Sequence, residues 1–298
     1  RAWAGVPAPA EQIASVRGWS VSAEGSMEVS GSAHDLVERA RGALLGLAAG
    51  DGFGAEQPAG ANAVRYWTQH TSLALCLAES LLECDRFDAR DQIERYLRWQ
   101  REGHLSATGA APDVTPDVAK ALANYQWRGQ PMSGSHDPRD RSSSALPRVV
   151  AAVLFSLSDP AAAVQLAGEC ARTTHQSPFV VDACRCYGAI LVGAMRGAAP
   201  RDVLEGLYEP DEGIWAGRPL KPAVAAMARA KSSPRPEATT RRTDAPDAML
   251  ALVRARAAVA GAAGFDDALR RARDSAVEPG LEAALAGIDA DEVDQVGD

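Results

Sequence analysis

A chain of 298 residues with a formal net charge of −8 has no basic stripe broad enough to track a phosphate backbone, which argues against a nucleic-acid partner. Apolar residues make up 46% of the chain but aromatic ones only 5%, and Ala is abundant. Small side chains suit closely packed helices, and the β-branched and aromatic runs of a sheet core are scarce, so an all-α fold with one large core is expected.

Residues 1–31 are rich in Pro, Gly, Ser and Ala and read as an extended arm, which leaves 32–298 as a single all-α domain. The first helix has Ser32 and Asp35 at capping-box spacing and carries Leu36, Ala40, Leu44 and Leu47 or Ala48 on one stripe. Gly50 stands where a left-handed C-cap is wanted, so GDGFGAE, residues 50–56, reads as a tight turn. A second helix over about 71–84 is apolar on nearly every side, as a central helix must be. Residues 88–103 form an amphipathic third helix with Ile93, Tyr96 and Leu97 inward, and a fourth lies within DVTPDVAKALANYQWRG. A long polar loop covers 129–144. Helices resume over 147–156, 160–173 and 178–196, then 207–222 is irregular and 223–230 is helical again. A charged, Pro-containing loop over 231–246 precedes two closing helices, 247–263 and 266 to about 286. The pattern is a bundle of roughly ten helices without an internal repeat.

The five cysteines, Cys76, Cys84, Cys170, Cys184 and Cys186, are odd in number and contain no C-x-x-C pair. Most fall in apolar helical patterns and read as small core residues of a reducing compartment. No secretory leader is visible and no stretch reaches 18 unbroken apolar residues, so the expectation is a cytoplasmic protein with no membrane partner.

Thr68, Gln69, His70, Thr71 and Ser72 stand directly before the apolar second helix. A helix N-terminus presents unpaired N–H groups and partial positive charge, so this end can receive an anion or a sugar hydroxyl. His70 there is a candidate general base or hydrogen-bond partner, and Gln69 can both donate to and accept from ribose hydroxyls.

The segments RARGALLGLAAGDGFGAE, YWTQHTSLALCLAESLLE, FDARDQIERYLRWQREGHLSATG, TTHQSPFVVDACRCYGAILVGAMRG and LYEPDEGIWAGRPLKPAVAA follow one another over about residues 37–287. In that order they resemble the ADP-ribosylglycohydrolase family. The resemblance implies an orthogonal multi-helix bundle that cleaves the glycosidic bond at ribose C1 of ADP-ribosyl groups, usually with two magnesium ions. The family's Thr-Asp-Asp-Thr motif reads Thr68-Gln69-His70-Thr71 here, and its second motif, Gly-Asp-Ala-Asp-Thr, has no counterpart after FDDALRRA. Asp289 and Asp291 lie about a helix too late and read as a solvated acidic tail. Magnesium wants several anionic oxygens in octahedral geometry, whereas imidazole suits softer metals. No metal and no cofactor are therefore expected.

Other family positions match one residue at a time. Glu56 lies two positions early for the family's catalytic Glu, and either fills the same volume or lies on the surface. Asp113 is all that remains of Asp-Ile-Gly-x-Thr-Thr, and Ser144 survives from Asn-Gly-Ser-Leu-Met-Arg. His175 follows Thr174 just before a helix, as a site residue or as a helix cap. Arg241 and Arg242 read as an exposed basic pair, with a phosphate-facing pair as the alternative. The candidate catalytic groups are thus His70, Glu56 and Asp51, with Thr68, Gln69, Thr71, Asp113, Ser144 and His175 binding a nucleotide or ribosylated small molecule. One function that fits is a metal-independent hydrolase or lyase acting at the ribose C1 of an ADP-ribosylated or ribosylated, NAD-derived compound. The other is a catalytically inactive protein that binds ADP-ribose or a protein partner. The substituted positions are polar and reactive rather than apolar, which favours the first.

Overall fold

Twelve helices, and no strand, are found among residues 33–54, 66–110, 114–230, 247–274 and 286, which the computed structural model describes. They are α1 (Ala33–Gly54), α2 (Gln69–Cys84), α3 (Ala89–Glu102), α4 (Pro116–Arg128), α5 (Val149–Phe155), α6 (Pro160–Ala171), α7 (Pro178–Met195), α8 (Pro200–Leu204), α9 (Ile214–Gly217), α10 (Pro222–Arg229), α11 (Ala248–Ala260) and α12 (Phe265–Asp274). The expected arm over 1–31, Ser32, and the closing helix beyond Asp274 apart from Ala286, lie outside the described residues.

α2 is apolar all round because it is covered all round. Leu73 and Cys76 pack with Ile93, Tyr96 and Trp99 of α3 and Val118 and Leu122 of α4. Leu77, Ala78 and Leu81 meet Ala151 and Ala152 of α5 and Leu166 and Cys170 of α6. Leu75 joins Ala48 of α1 and Trp67. Each fully buried leucine contributes roughly 1.5–3 kcal/mol from area removed from water, so three clusters meeting on one helix make it the keystone of the bundle.

α7 is the second central helix. It is 18 residues long and apolar enough for a membrane span by mean hydropathy, although no unbroken apolar run was expected; its burial inside the fold is that of a core helix. It approaches α6 through glycines. A Cβ on Gly188 would sit 2.7 Å from that of Ala167, and one on Gly168 would sit 2.9 Å from the Arg185 side chain. α11 is tied to its neighbours by the buried Arg256, which donates to the carbonyls of Leu204 and Ala228 near the C-terminal ends of α8 and α10. Helix C-termini carry partial negative charge and unpaired carbonyls, so a guanidinium can be buried there without a carboxylate.

Three sequence expectations change. The GDGFG segment is the last turn of α1 rather than a tight turn. α2 begins at Gln69, two residues early, behind an N-cap at Thr68. The irregular stretch over 207–222 holds the short α9. The first two changes have one cause, described below. The five cysteines are free, and all but Cys84 are buried. Burial pushes the Cys170 and Cys186 thiols up to about 12, which makes them inert core residues.

Candidate functional site

The N-terminal ends of α2 and α4, the turn before α5 and the turn before α7 converge on one polar region. Asp51, in the last turn of α1, reaches across to the start of α2. Its two oxygens accept from the Thr68 backbone N–H at 2.8 Å and hydroxyl at 2.5 Å, and from the Thr71 N–H at 3.1 Å and hydroxyl at 2.8 Å. An anion at a helix N-terminus satisfies orphan donors and complements the macrodipole. This contact extends α1 through two glycines and starts α2 early. Gly52 allows the close approach, since a Cβ there would lie 3.3 Å from the Tyr66 carbonyl oxygen.

Gln69 is buried and clasps the next helix start. Its Nε2 donates to Thr115 Oγ1 at 2.7 Å, and its Oε1 accepts from the Thr115 N–H at 3.0 Å. Thr115, the N-cap of α4, in turn donates a hydrogen bond from its hydroxyl to Asp117 Oδ1. Asp117 is the hub. Oδ1 also accepts from Val118 N–H at 2.8 Å, and Oδ2 accepts from Ser142 at 2.7 Å, Ser144 at 2.5 Å and His175 Nε2 at 2.8 Å. Burial alone would push the Asp117 carboxyl up. The hydrogen bond and charge of His175, with the Ser144 and Thr115 hydroxyls, outweigh it and hold the group well below the usual carboxylate range. Asp117 is therefore a fixed negative charge and no proton acceptor near neutrality.

Behind the hub the network runs inward. With Asp117 as acceptor, His175 Nε2 carries a proton and donates it, and Nδ1 lies 2.8 Å from Thr174 Oγ1. Arg148, fully buried, donates to Thr174 Oγ1 at 2.9 Å and to the Ser144 carbonyl at 3.1 Å, and its guanidinium stacks over Tyr96 at 5.3 Å. The polar chain is continuous from Gln69 to Arg148.

His70 stands outside this chain. It is half-buried on the first turn of α2, its backbone N–H faces Thr68 Oγ1 at 3.4 Å, and its ring Nδ1 has no hydrogen-bond partner. Glu56, Asp113, Arg241, Arg242, Asp289 and Asp291 lie outside the described residues. Of the sequence-derived candidates, the structure thus gathers Asp51, Thr68, Gln69, Thr71, Ser144 and His175 into two adjoining hydrogen-bonded sets, with His70 beside them.

The match to the ADP-ribosylglycohydrolase family model spans residues 32–292. The chain belongs to the ADP-ribosylglycohydrolase family. Two relatives are ADP-ribosylarginine hydrolases Tri1. That of Pseudomonas putida (strain GB-1) is 28% identical over 184 residues, 56% of this chain and 50% of the relative. That of Serratia proteamaculans (strain 568) is 28% identical over 181 residues, 55% and 50% respectively. The chain spans about half the length of these curated relatives. A solved structure of an ADP-ribosylglycohydrolase-related protein complex superposes with a TM-score of 0.66 at 30% identity, covering 86% of this chain and 88% of that one. The expected all-α bundle of the ADP-ribosylglycohydrolase type is therefore the fold.

In this member of the family the described donors at the start of α2 do not fit magnesium. The two aspartates that the family resemblance implies are Gln69 and His70, and the Gln69 amide is engaged on both sides by Thr115. Both threonine hydroxyls donate to Asp51, whose oxygens already face four donors. No group of three or more His, Cys, Asp or Glu side chains able to hold a metal occurs among the described residues. Sequence reasoning missed Asp117, Thr115 and Arg148; it noted Thr174 only as the other half of the Thr174-His175 pair and Ser142 only as part of the serine run over 142–144. For Asp117 the available signal was its place just behind the Thr115-Pro116 helix start, which marks a helix opening and equally a dipole-complementing acid.

Proposed function

We propose that this chain is a glycosidic hydrolase that acts at the ribose C1 of an ADP-ribosyl group without a divalent cation. The observation that carries the reading is His70. It places an imidazole at the N-terminal end of α2 with Nδ1 buried and without a partner, which leaves Nε2 as the nitrogen that can meet a substrate, beside an Asp51 already saturated by donors. No described carboxylate orients its ring, and on this reading Nε2, not the buried Nδ1, meets the substrate. The names of the relatives point to arginine as the acceptor.

In the reaction, the bond between C1 and the acceptor nitrogen breaks and leaves an oxocarbenium-like ribose. A water oxygen bonds to C1, its proton passes to a base, and the departing guanidine nitrogen is protonated. The imidazole of His70 is the group able to take or give that proton. The Asp117 hub keeps Ser142, Ser144 and His175 in fixed orientation at the adjoining wall. Buried free thiols fit a cytoplasmic setting.

The test incubates the protein with ADP-ribosylarginine and with NAD-derived ribosyl compounds, in chelator and in magnesium, and measures released ADP-ribose. Turnover should survive chelator and fall by about 10²–10⁴ in His70→Ala, the usual worth of a positioned acid or base. Turnover abolished by chelator would show the cation-free reading to be wrong. A second reading is favoured by the saturation of both Asp51 and Asp117: a protein that binds ADP-ribose and does not turn it over. Tight binding without product across the whole panel would establish it.

A further inference from the structure

Beyond Asp117, the hub of the polar network, α4 carries a face that the network does not use. Asp117, Lys120, Asn124, Trp127 and Arg128 recur at three- and four-residue spacings, so they lie along one side of the helix. Past Asp117 that side borders an open cleft of about 430 Å³, walled by Lys120, Asn124 and Arg128 on the helix and by Ser135, His136 and Gln176 opposite. No described carboxylate lines it. Asp137, close by, is paired with Arg139 at 2.9 and 3.1 Å and also feels the charge of Lys120. Trp127, beyond Asn124 on the same side, is 77% exposed, and the Arg128 guanidinium covers its ring at 4.9 Å.

The wall opposite the helix is preformed. Gln176 donates to the carbonyls of Met132 at 2.8 Å and Gly134 at 3.2 Å. Ser135 bridges the His175 backbone. A cationic cleft runs against the trend of a chain with net charge −8, and complementarity of sign is what steers and selects a charged partner.

We propose that this cleft docks an acidic polypeptide segment of a partner protein, with carboxylates at Lys120 and Arg128 and an apolar side chain on Trp127. Eight residues of helix separate the two cations by about 12 Å along the axis, a distance that roughly four residues of extended chain cover. Gln130 lies at the same cleft with its whole side-chain amide, and the amide oxygens of Asn124 and Gln176, whose NH₂ groups donate to loop carbonyls, can accept from peptide N–H groups. A compact diphosphate would want converging cations or a nest of backbone N–H groups. Here one cation stands at a helix C-terminus, whose partial negative charge opposes concentrated anionic charge. The docking holds whether or not His70 catalyses.

The test uses the full chain and a short fluorescein-labelled peptide of alternating Glu and Ser ending in Phe, read by anisotropy. Saturable binding is expected, weakening as salt is raised. It should drop by about tenfold or more in Lys120→Glu/Arg128→Glu, a change of about 1.4 kcal/mol per decade, and drop also in Trp127→Ala. All three side chains are exposed, and far-UV circular dichroism checks that each variant is folded. Absence of saturable binding, or affinity unchanged in the double variant, overturns the proposal. Displacement of the peptide by inorganic pyrophosphate at lower concentration than by unlabelled peptide also overturns it, because it marks a small-anion site.

Discussion

At Asp117 two carboxylate oxygens meet five hydrogen-bond donors, one more than four lone pairs can accept singly. An Asp117→Asn variant turns an NH₂ group towards donors and should lose about 2 kcal/mol, the cost of an unsatisfied polar group in a mostly buried network. The pH dependence has a definite sign. A carboxyl held low in the folded state contributes stability above its ordinary value near 4 and loses that contribution as pH falls. The urea midpoint of the native protein should therefore fall more steeply below about pH 4 than that of Asp117→Asn, and the gap between them should close. Part of the acid loss should remain in the variant. Burial pushes Glu79 up, but hydrogen bonds from His104 and Arg95 outweigh it and hold it low as well. An unchanged gap at every pH would remove Asp117 from the role given to it. Why Asp117 was not legible in the sequence follows from its partners. Ser142, Ser144 and His175 lie 25, 27 and 58 residues away, and locally the residue looks like any acid in a first helical turn. Ser144 and His175 were legible because family motifs surround them.

At the scale of elements, Asp51 joins two helices by capping one from the end of the other. Asp51→Ala leaves two backbone N–H groups and two hydroxyls of Thr68 and Thr71 without their acceptor. The expected loss is about 2–3 kcal/mol, above an ordinary N-cap because two backbone donors are involved, measured by urea unfolding. Gly134→Ala tests the opposite wall. A Cβ there would sit 2.2 Å from the His175 backbone nitrogen, so the loop must shift and Tm should drop. A Tm equal to the parent's would mean that the loop yields freely. Helix faces were readable because Leu36, Leu44 and Leu47, or Ile93, Tyr96 and Leu97, fall on one stripe, and all are buried. The end of α1 was not readable. Glycines disfavour helix by about 1 kcal/mol each, and only the long-range contact of Asp51 with α2 reverses that preference.

Across the whole molecule the bundle sets the starts of α2 and α4 and the turn before α7 around one polar region, which concentrates unpaired N–H groups there. The order of segments announced this architecture and the family. The sequence could not announce how the capacity of that region is used, because that depends on which donors each carboxylate meets. In the structure, Asp51 meets four and Asp117 five, and Gln69 is clasped by Thr115. For magnesium to bind there, an octahedral set of hard oxygens would have to be freed from these donors, and two helix caps would be broken in the process. A ligand that binds only the folded state raises stability by RT ln(1 + [L]/Kd), about 2.7 kcal/mol at a hundredfold excess over Kd. Millimolar magnesium should therefore leave Tm where chelator leaves it, in a thermal scan of the full chain. A saturable upward shift, lost in Asp51→Asn, would mean that a cation competes successfully for Asp51, and the cation-free hydrolysis proposed for this site would fall with it.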